Sequence, residues 1–130
     1  AVSIIAWSKP GEIVLIRQYR YATGEELLEL PAGTMEKGED PITTAQRELE
    51  EETGYRAGRM KHRATYYTTP GFTNELMHLY EASDLKTGKQ RLEEDEVIEI
   101  VRTPLDEAIQ MAHNGKIKDA KTLVGLLLFK

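Results

Sequence analysis

Strands in the middle of the chain, with helical patterns around them, predict a layered α/β domain. Three observations carry that reading. Ile13-Val14-Leu15-Ile16 is a continuous apolar run, as in a strand covered on both faces. Asp40-Pro41 opens a helical stretch that stops at Gly54. Two further helical patterns close the chain beyond Thr103.

Taken in order, Val2 to Trp7 reads as a strand and Lys9-Pro10-Gly11 as a turn. Glu12 to Tyr21 is a longer strand, broken by Thr23-Gly24-Glu25. Leu27 to Leu30 is a short strand ending at Pro31, and Pro31 to Asp40 is a loop containing Gly33 and Gly38. Asp40 caps the first helix and Pro41 takes its first position. Ile42, Ala45 and Leu49 share the face expected to dock on the core. Gly54 is expected to end the helix in the left-handed conformation. Arg56 to Thr69 and Asn74 to Ser83 are β-rich, with Pro70-Gly71 between them. Leu85 to Glu96 is polar and acidic and reads as loop, and Val97 to Val101 as a strand. Helices from Thr103 to His113 and from Asp119 to Phe129 follow, separated by Asn114-Gly115.

At 130 residues the chain is expected to be one domain with its own core, spanning 1–130. It has no cysteine, which excludes a disulfide framework and a thiolate metal site and fits a cytoplasmic location. No apolar run approaches the roughly 20 residues that span a bilayer. The nearest, Leu123 to Phe129, is short and carries Gly125. The first residues lack a signal-peptide pattern. A net charge of −5 and a pI of about 5.3 argue against nucleic-acid binding, which needs a basic surface. A phosphate substrate stays open, because bound divalent cations would invert the local field. The chain opens on Ala1 rather than Met, which leaves open whether residues precede it.

The segment that carries chemistry is Arg47-Glu48-Leu49-Glu50-Glu51-Glu52-Thr53-Gly54. On a helix Glu48, Glu51 and Glu52 share one arc, and like charges at that spacing destabilise it. They also occupy the last turn before Gly54, where the helix dipole is negative and Lys or Arg would be favoured. A local rule broken this plainly points to function. Carboxylate oxygens suit hard cations such as Mg²⁺ and Mn²⁺. Taken alone, the run also reads as a solvated acidic face with scattered ion pairs.

Its surroundings narrow the choice. Gly33, five residues, Glu39, seven residues, then Arg47 to Tyr55 resembles the Nudix signature at every fixed position. The one departure is Tyr55, where the family usually has Ile, Leu or Val. The resemblance implies an α+β fold: an α/β/α sandwich with a mixed sheet and a loop–helix–loop motif over residues 33–55. It implies Glu48 and Glu52 as principal metal ligands, the Ala32 carbonyl as an extra ligand, and Glu51 as a further ligand or water-holder. Arg47 would orient these carboxylates, which its planar fork suits. Glu39 would brace the loop against the helix, and Gly33 would give the backbone room for an unusual conformation.

Val14 to Tyr21 and Leu28 to Gly33 look like the ADP-ribose pyrophosphatase branch of the family, as does Pro70, sixteen residues after Gly54. That branch implies Mg²⁺-dependent hydrolysis of ADP-ribose to AMP and ribose 5-phosphate by a homodimer. The alternatives are another nucleoside diphosphate derivative (a nucleotide sugar, NADH or a dinucleoside polyphosphate) or a non-catalytic nucleotide-binding module. Such modules tend to lose a signature glutamate or the arginine, and all are present here. In the branch a mobile loop near the last strand supplies the general base, and Leu92 to Ile98 occupies that place. Glu94 is therefore the candidate base and Glu96 a further metal ligand. Glu93 competes, and a solvent-exposed acidic loop is the plainer reading. Arg20 is the candidate phosphate contact, against a surface charge at a sheet edge. Glu75 is the candidate for a ribose hydroxyl, against a surface role. His62, His78 and His113 lack metal-ligand spacing and read as structural or exposed. Trp7, Tyr66 and Tyr67 read as core or sheet-face residues. The branch usually carries extra N-terminal strands that help form the dimer and hold adenine. Here the signature domain starts almost at once, so those strands lie outside this sequence or base recognition differs.

Overall fold

The computed structural model describes residues 1–92 and 97–129. The expectations for Glu93, Glu94 and Glu96 therefore lie outside the described residues. The elements in order are β1 (Val2–Lys9), β2 (Glu12–Arg20), β3 (Glu25–Glu29), β4 (Ala32–Gly33), α1 (Pro41–Thr53), β5 (Tyr55–Tyr67), β6 (Leu76–Thr87), β7 (Ile98–Pro104), α2 (Leu105–His113) and α3 (Ala120–Leu128).

The sheet is mixed. β1 runs parallel to β6, pairing Val2 with His78 through Ala6 with Ala82. β5 is antiparallel to β6, and the short β4 is antiparallel to the start of β1. β2 lies between β3 and β7, antiparallel to both, and joins β1 through a hairpin. Neighbouring side chains on a strand point to opposite faces. Ile4 accordingly packs with Val2, Ala6, Val14 and Tyr80 against Ala45 and Leu49 of α1. Ile5 packs with Ile13, Leu15, Leu30 and Leu79 against Ala108, Ile117 and Leu126, on the side of α2 and α3. The run Ile13 to Ile16 is buried throughout because it feeds two cores at once. This is the α/β/α sandwich with a mixed sheet that the signature implies. Among the described residues no helix is long and apolar enough to cross a membrane.

Helix α1 begins and ends as its sequence dictates. The Asp40 carboxylate accepts the Thr43 N–H at 2.9 Å. Gly54 sits at φ 80°, and its N–H reaches the Glu50 carbonyl at 2.8 Å.

Several element bounds differ from the sequence reading. β3 starts at Glu25, because Glu25 pairs with Arg20 of β2 and the turn closes before it. Ala32 and Gly33 pair with β1 instead of belonging wholly to loop. Ile42 is 40% exposed, and Thr44 is the buried residue of that turn, its hydroxyl 2.7 Å from Glu39 Oε1. Leu85 to Thr87 continue β6, because β5 begins at Tyr55 and gives them a partner. β7 runs to Pro104 alongside Glu12, so α2 starts at Leu105 and not at Thr103.

Candidate metal and substrate site

Helix α1 presents Glu48, Glu51 and Glu52 to a cavity of about 620 Å³. That size suits a nucleotide-sized ligand. Every site residue expected from the sequence and lying among the described residues lines it: Arg20, Ala32, Arg47, Glu48, Glu51, Glu52 and Glu75.

Arg47 stands among the acids. Its Nε and Nη2 donate to the two oxygens of Glu39 at 2.7 and 2.9 Å, a bidentate grip. Its Nη1 donates to Glu48 Oε1 at 2.9 Å and Glu51 Oε2 at 3.1 Å. Nη2 also reaches the Thr34 carbonyl at 3.2 Å. One guanidinium thus offsets the crowded negative charge of the last turn and ties the preceding loop to the helix. The Arg47 fork, aided by the Glu36 N–H and the Thr44 hydroxyl, holds the Glu39 carboxyl down to about 2. The same bond to Glu39 raises the Arg47 pKa further above its ordinary value.

Glu52 is 7% exposed, and its Oε1 accepts the Ala32 N–H at 2.9 Å. That bond joins β4 to α1 across the cavity wall. Gly33 does not adopt the unusual conformation expected of it, since it is absent from the positive-φ glycines. Close approach is what demands glycine: a Cβ at residue 33 would stand 2.5 Å from Glu48 Oε1, and nearer still to its Cγ and Cδ.

Arg20 faces the same cavity but is tethered. Its Nε and Nη2 each donate to Glu29 at 2.7 Å. Glu29 is 1% exposed and also accepts from Lys121 Nζ at 2.7 Å. Burial alone would push the Glu29 carboxyl up, yet Arg20 and Lys121 hold it below its ordinary value. Glu75 sits on the cavity wall and accepts the Thr68 hydroxyl at 2.7 Å. Asp119 and Lys121 of the α3 start line this wall too, and the sequence did not single them out. The one local signal was Glu29, an acid set between Leu28 and Leu30 in a strand. Its second partner lies 92 residues away.

Elsewhere the roles are structural. Tyr55 keeps the packing expected of an aliphatic residue, half-buried against the α1 core. Its extra hydroxyl accepts from Arg102 Nε at 2.8 Å. Trp7 donates its indole N–H to Glu81 at 2.7 Å and meets Phe129 edge-on. His62 and His78 are joined through the Thr65 hydroxyl, at 2.7 and 2.9 Å, away from the cavity. Among the described residues no group of three acidic or histidine side chains forms a ready-made metal cage. The donor chemistry is nevertheless uniform. Glu48, Glu51 and Glu52 bring hard carboxylate oxygens to the cavity beside Ala32, a set that fits Mg²⁺ or Mn²⁺.

A helix carrying carboxylates against a cavity, docked on a mixed sheet with two helices behind it, defines a Nudix-type architecture. The family model described as NUDIX domain matches residues 1–124, and the chain belongs to that family. It is 43% identical over 128 residues to the methanol dehydrogenase activator of Bacillus methanolicus, covering 97% of this chain and 69% of that protein. It is 40% identical over 124 residues to the ADP-ribose pyrophosphatase of Bacillus subtilis, covering 94% and 67% respectively. A crystal structure of an ADP compounds hydrolase superposes with a TM-score of 0.89 at 26% identity, covering 98% of this chain and 69% of that one.

Proposed function

We propose that the chain is a Nudix pyrophosphohydrolase that cleaves the diphosphate of ADP-ribose to AMP and ribose 5-phosphate, with Mg²⁺ as working cation and Mn²⁺ a substitute. The carrying observation is the meeting of Glu48, Glu51, Glu52, Arg47 and Ala32 on one wall of a cavity that also holds Arg20. The relatives named as ADP-ribose pyrophosphatase and ADP compounds hydrolase support this substrate class.

In this reading Glu48, Glu52 and the Ala32 carbonyl hold the cations, Glu96 adds a ligand, and Glu51 holds a cation or its water. Bound there, divalent cations neutralise diphosphate charge and lower the pKa of a water. Arg47 keeps Glu48 and Glu51 apart and aimed, through the two bonds from its Nη1. Arg20 contacts a phosphate, its guanidinium held in place by Glu29. Glu75 receives a ribose hydroxyl. Glu94 takes the proton of the attacking water, whose oxygen bonds to phosphorus as the bridging P–O bond breaks. The chain acts as one catalytic domain over residues 1–130, within a cytoplasmic homodimer.

A panel of ADP-ribose, GDP-mannose, NADH and diadenosine polyphosphates with Mg²⁺ tests the reading. ADP-ribose is expected to give the highest kcat/KM. Hydrolysis of GDP-mannose or NADH at least as fast would reject ADP-ribose as the substrate. No hydrolysis of any member would reject the enzyme in favour of a binding module.

A further inference from the structure

The start of α3 grips the strand end that leads into the cavity. Thr122 is fully buried, and its Oγ1 accepts the Leu30 N–H at 2.9 Å. The same hydroxyl donates to Asp119 Oδ2 at 2.6 Å. One turn on, Gly125 lies so near that a Cβ there would stand 2.6 Å from Leu30 Cδ1. Only Pro31 separates Leu30 from Ala32, and the Pro31 carbonyl accepts the Ile4 N–H at 2.9 Å. Ala32 then donates to Glu52 Oε1. A continuous chain of contacts thus runs from a residue of the C-terminal helix to a cavity carboxylate.

We infer that Thr122 is a positioning residue for the cation site: its hydroxyl sets the height of the Leu30–Gly33 segment, so that Ala32 meets Glu52. The inference rests on the cation-dependent function proposed above. The hydroxyl works as a joint because it accepts from one side and donates to a carboxylate on the other, a charge-assisted bond of roughly twice ordinary strength. Valine has nearly the shape of threonine but no acceptor. It would leave the buried Leu30 N–H without a partner, a strongly unfavourable state that a shift of the segment relieves. Ala32 would move with that segment, and Glu52 would lose the N–H that aims it.

The test is Mn²⁺ binding, followed by electron paramagnetic resonance without substrate, in wild type, Thr122→Val and Thr122→Ser. Loss of a group that orients a metal ligand weakens binding about tenfold or more. Thr122→Val is expected to show that loss, and Thr122→Ser, which keeps the hydroxyl, to stay within about twofold of wild type. A merely structural threonine would lower the Thr122→Val melting temperature and leave the Mn²⁺ affinity of the folded protein unchanged, which would overturn the inference. If Thr122→Val does not fold, Thr122→Ala removes the same hydroxyl with a smaller side chain and leaves the cavity charges in place. Weaker Mn²⁺ binding is again expected, and wild-type affinity would overturn the inference. Failure of wild type itself to bind Mn²⁺ would overturn the proposed cation site, and this inference with it.

Discussion

Replacing Gly33 by alanine separates function from folding at a single atom. The added methyl would stand 2.5 Å from Glu48 Oε1 and closer to its Cγ and Cδ. Unbonded carbons sit at about 3.5–4.0 Å, so the Glu48 carboxyl carbon must retreat by roughly 1.5–2 Å. The displaced atoms are the end of a flexible side chain, 15% exposed, so the fold gives way cheaply. The melting temperature should fall by less than about 4 °C, the shift that about 1 kcal/mol produces in a domain of this size. Catalysis has no such freedom. A misplacement of about 1 Å at a reacting centre costs on the order of a hundredfold. The retreat also breaks the 2.9 Å bond from Arg47. Steady-state hydrolysis of ADP-ribose with Mg²⁺, alongside thermal melting, measures both. The reasoning is refuted if Gly33→Ala keeps kcat/KM within about threefold of wild type. It is also refuted if activity falls only in step with the folded fraction.

Arg47→Lys keeps the charge but cannot grip Glu39 with two parallel bonds while reaching Glu48 and Glu51. We expect kcat/KM to fall about a hundredfold in the same assay, with Mg²⁺ requirement raised. Glu39 titrates in the folded protein at about 2, below its ordinary 4.5. Its contribution to stability is therefore present above pH 4.5 and lost as pH falls towards 2. Urea midpoints measured from pH 5 to pH 3 should drop in wild type and drop less steeply in Glu39→Gln. Asp40→Ala removes the bond to the Thr43 N–H and should lower the urea midpoint while leaving kcat/KM unchanged.

What was legible in the sequence was whatever depends on near neighbours. Asp40-Pro41 and Gly54 set the ends of α1 because capping and left-handed backbone are local chemistry. Gly33, Arg47, Glu48, Glu51 and Glu52 reach one cavity because they share a strand end and a helix face close in sequence. The run Ile13 to Ile16 announced burial on both faces, and it is so buried. What was hidden depends on distant partners. β6 outran its expected end because Thr87 finds Tyr55 across the sheet, and β7 did so because Pro104 finds Glu12. Ile42 was assigned inward by periodicity, but Thr44 fills that place because Glu39 can satisfy its hydroxyl. The need for glycine at residue 33 comes from Glu48, fifteen residues on, and not from its own backbone angles. The wall formed by Asp119 and Lys121, with Glu29 buried behind it, was out of reach because Lys121 meets the end of β3 only in the folded chain.

The most direct measurement is a calorimetric Mn²⁺ titration of the intact protein, with a non-hydrolysable ADP-ribose analogue present, in wild type and Glu52→Gln. Wild type should take up the cation. Glu52→Gln should bind it far more weakly, lose several hundred-fold in turnover, and retain its melting temperature. No uptake by wild type, or equal uptake and turnover by both proteins, would contradict the claim that these carboxylates are gathered to hold hard cations.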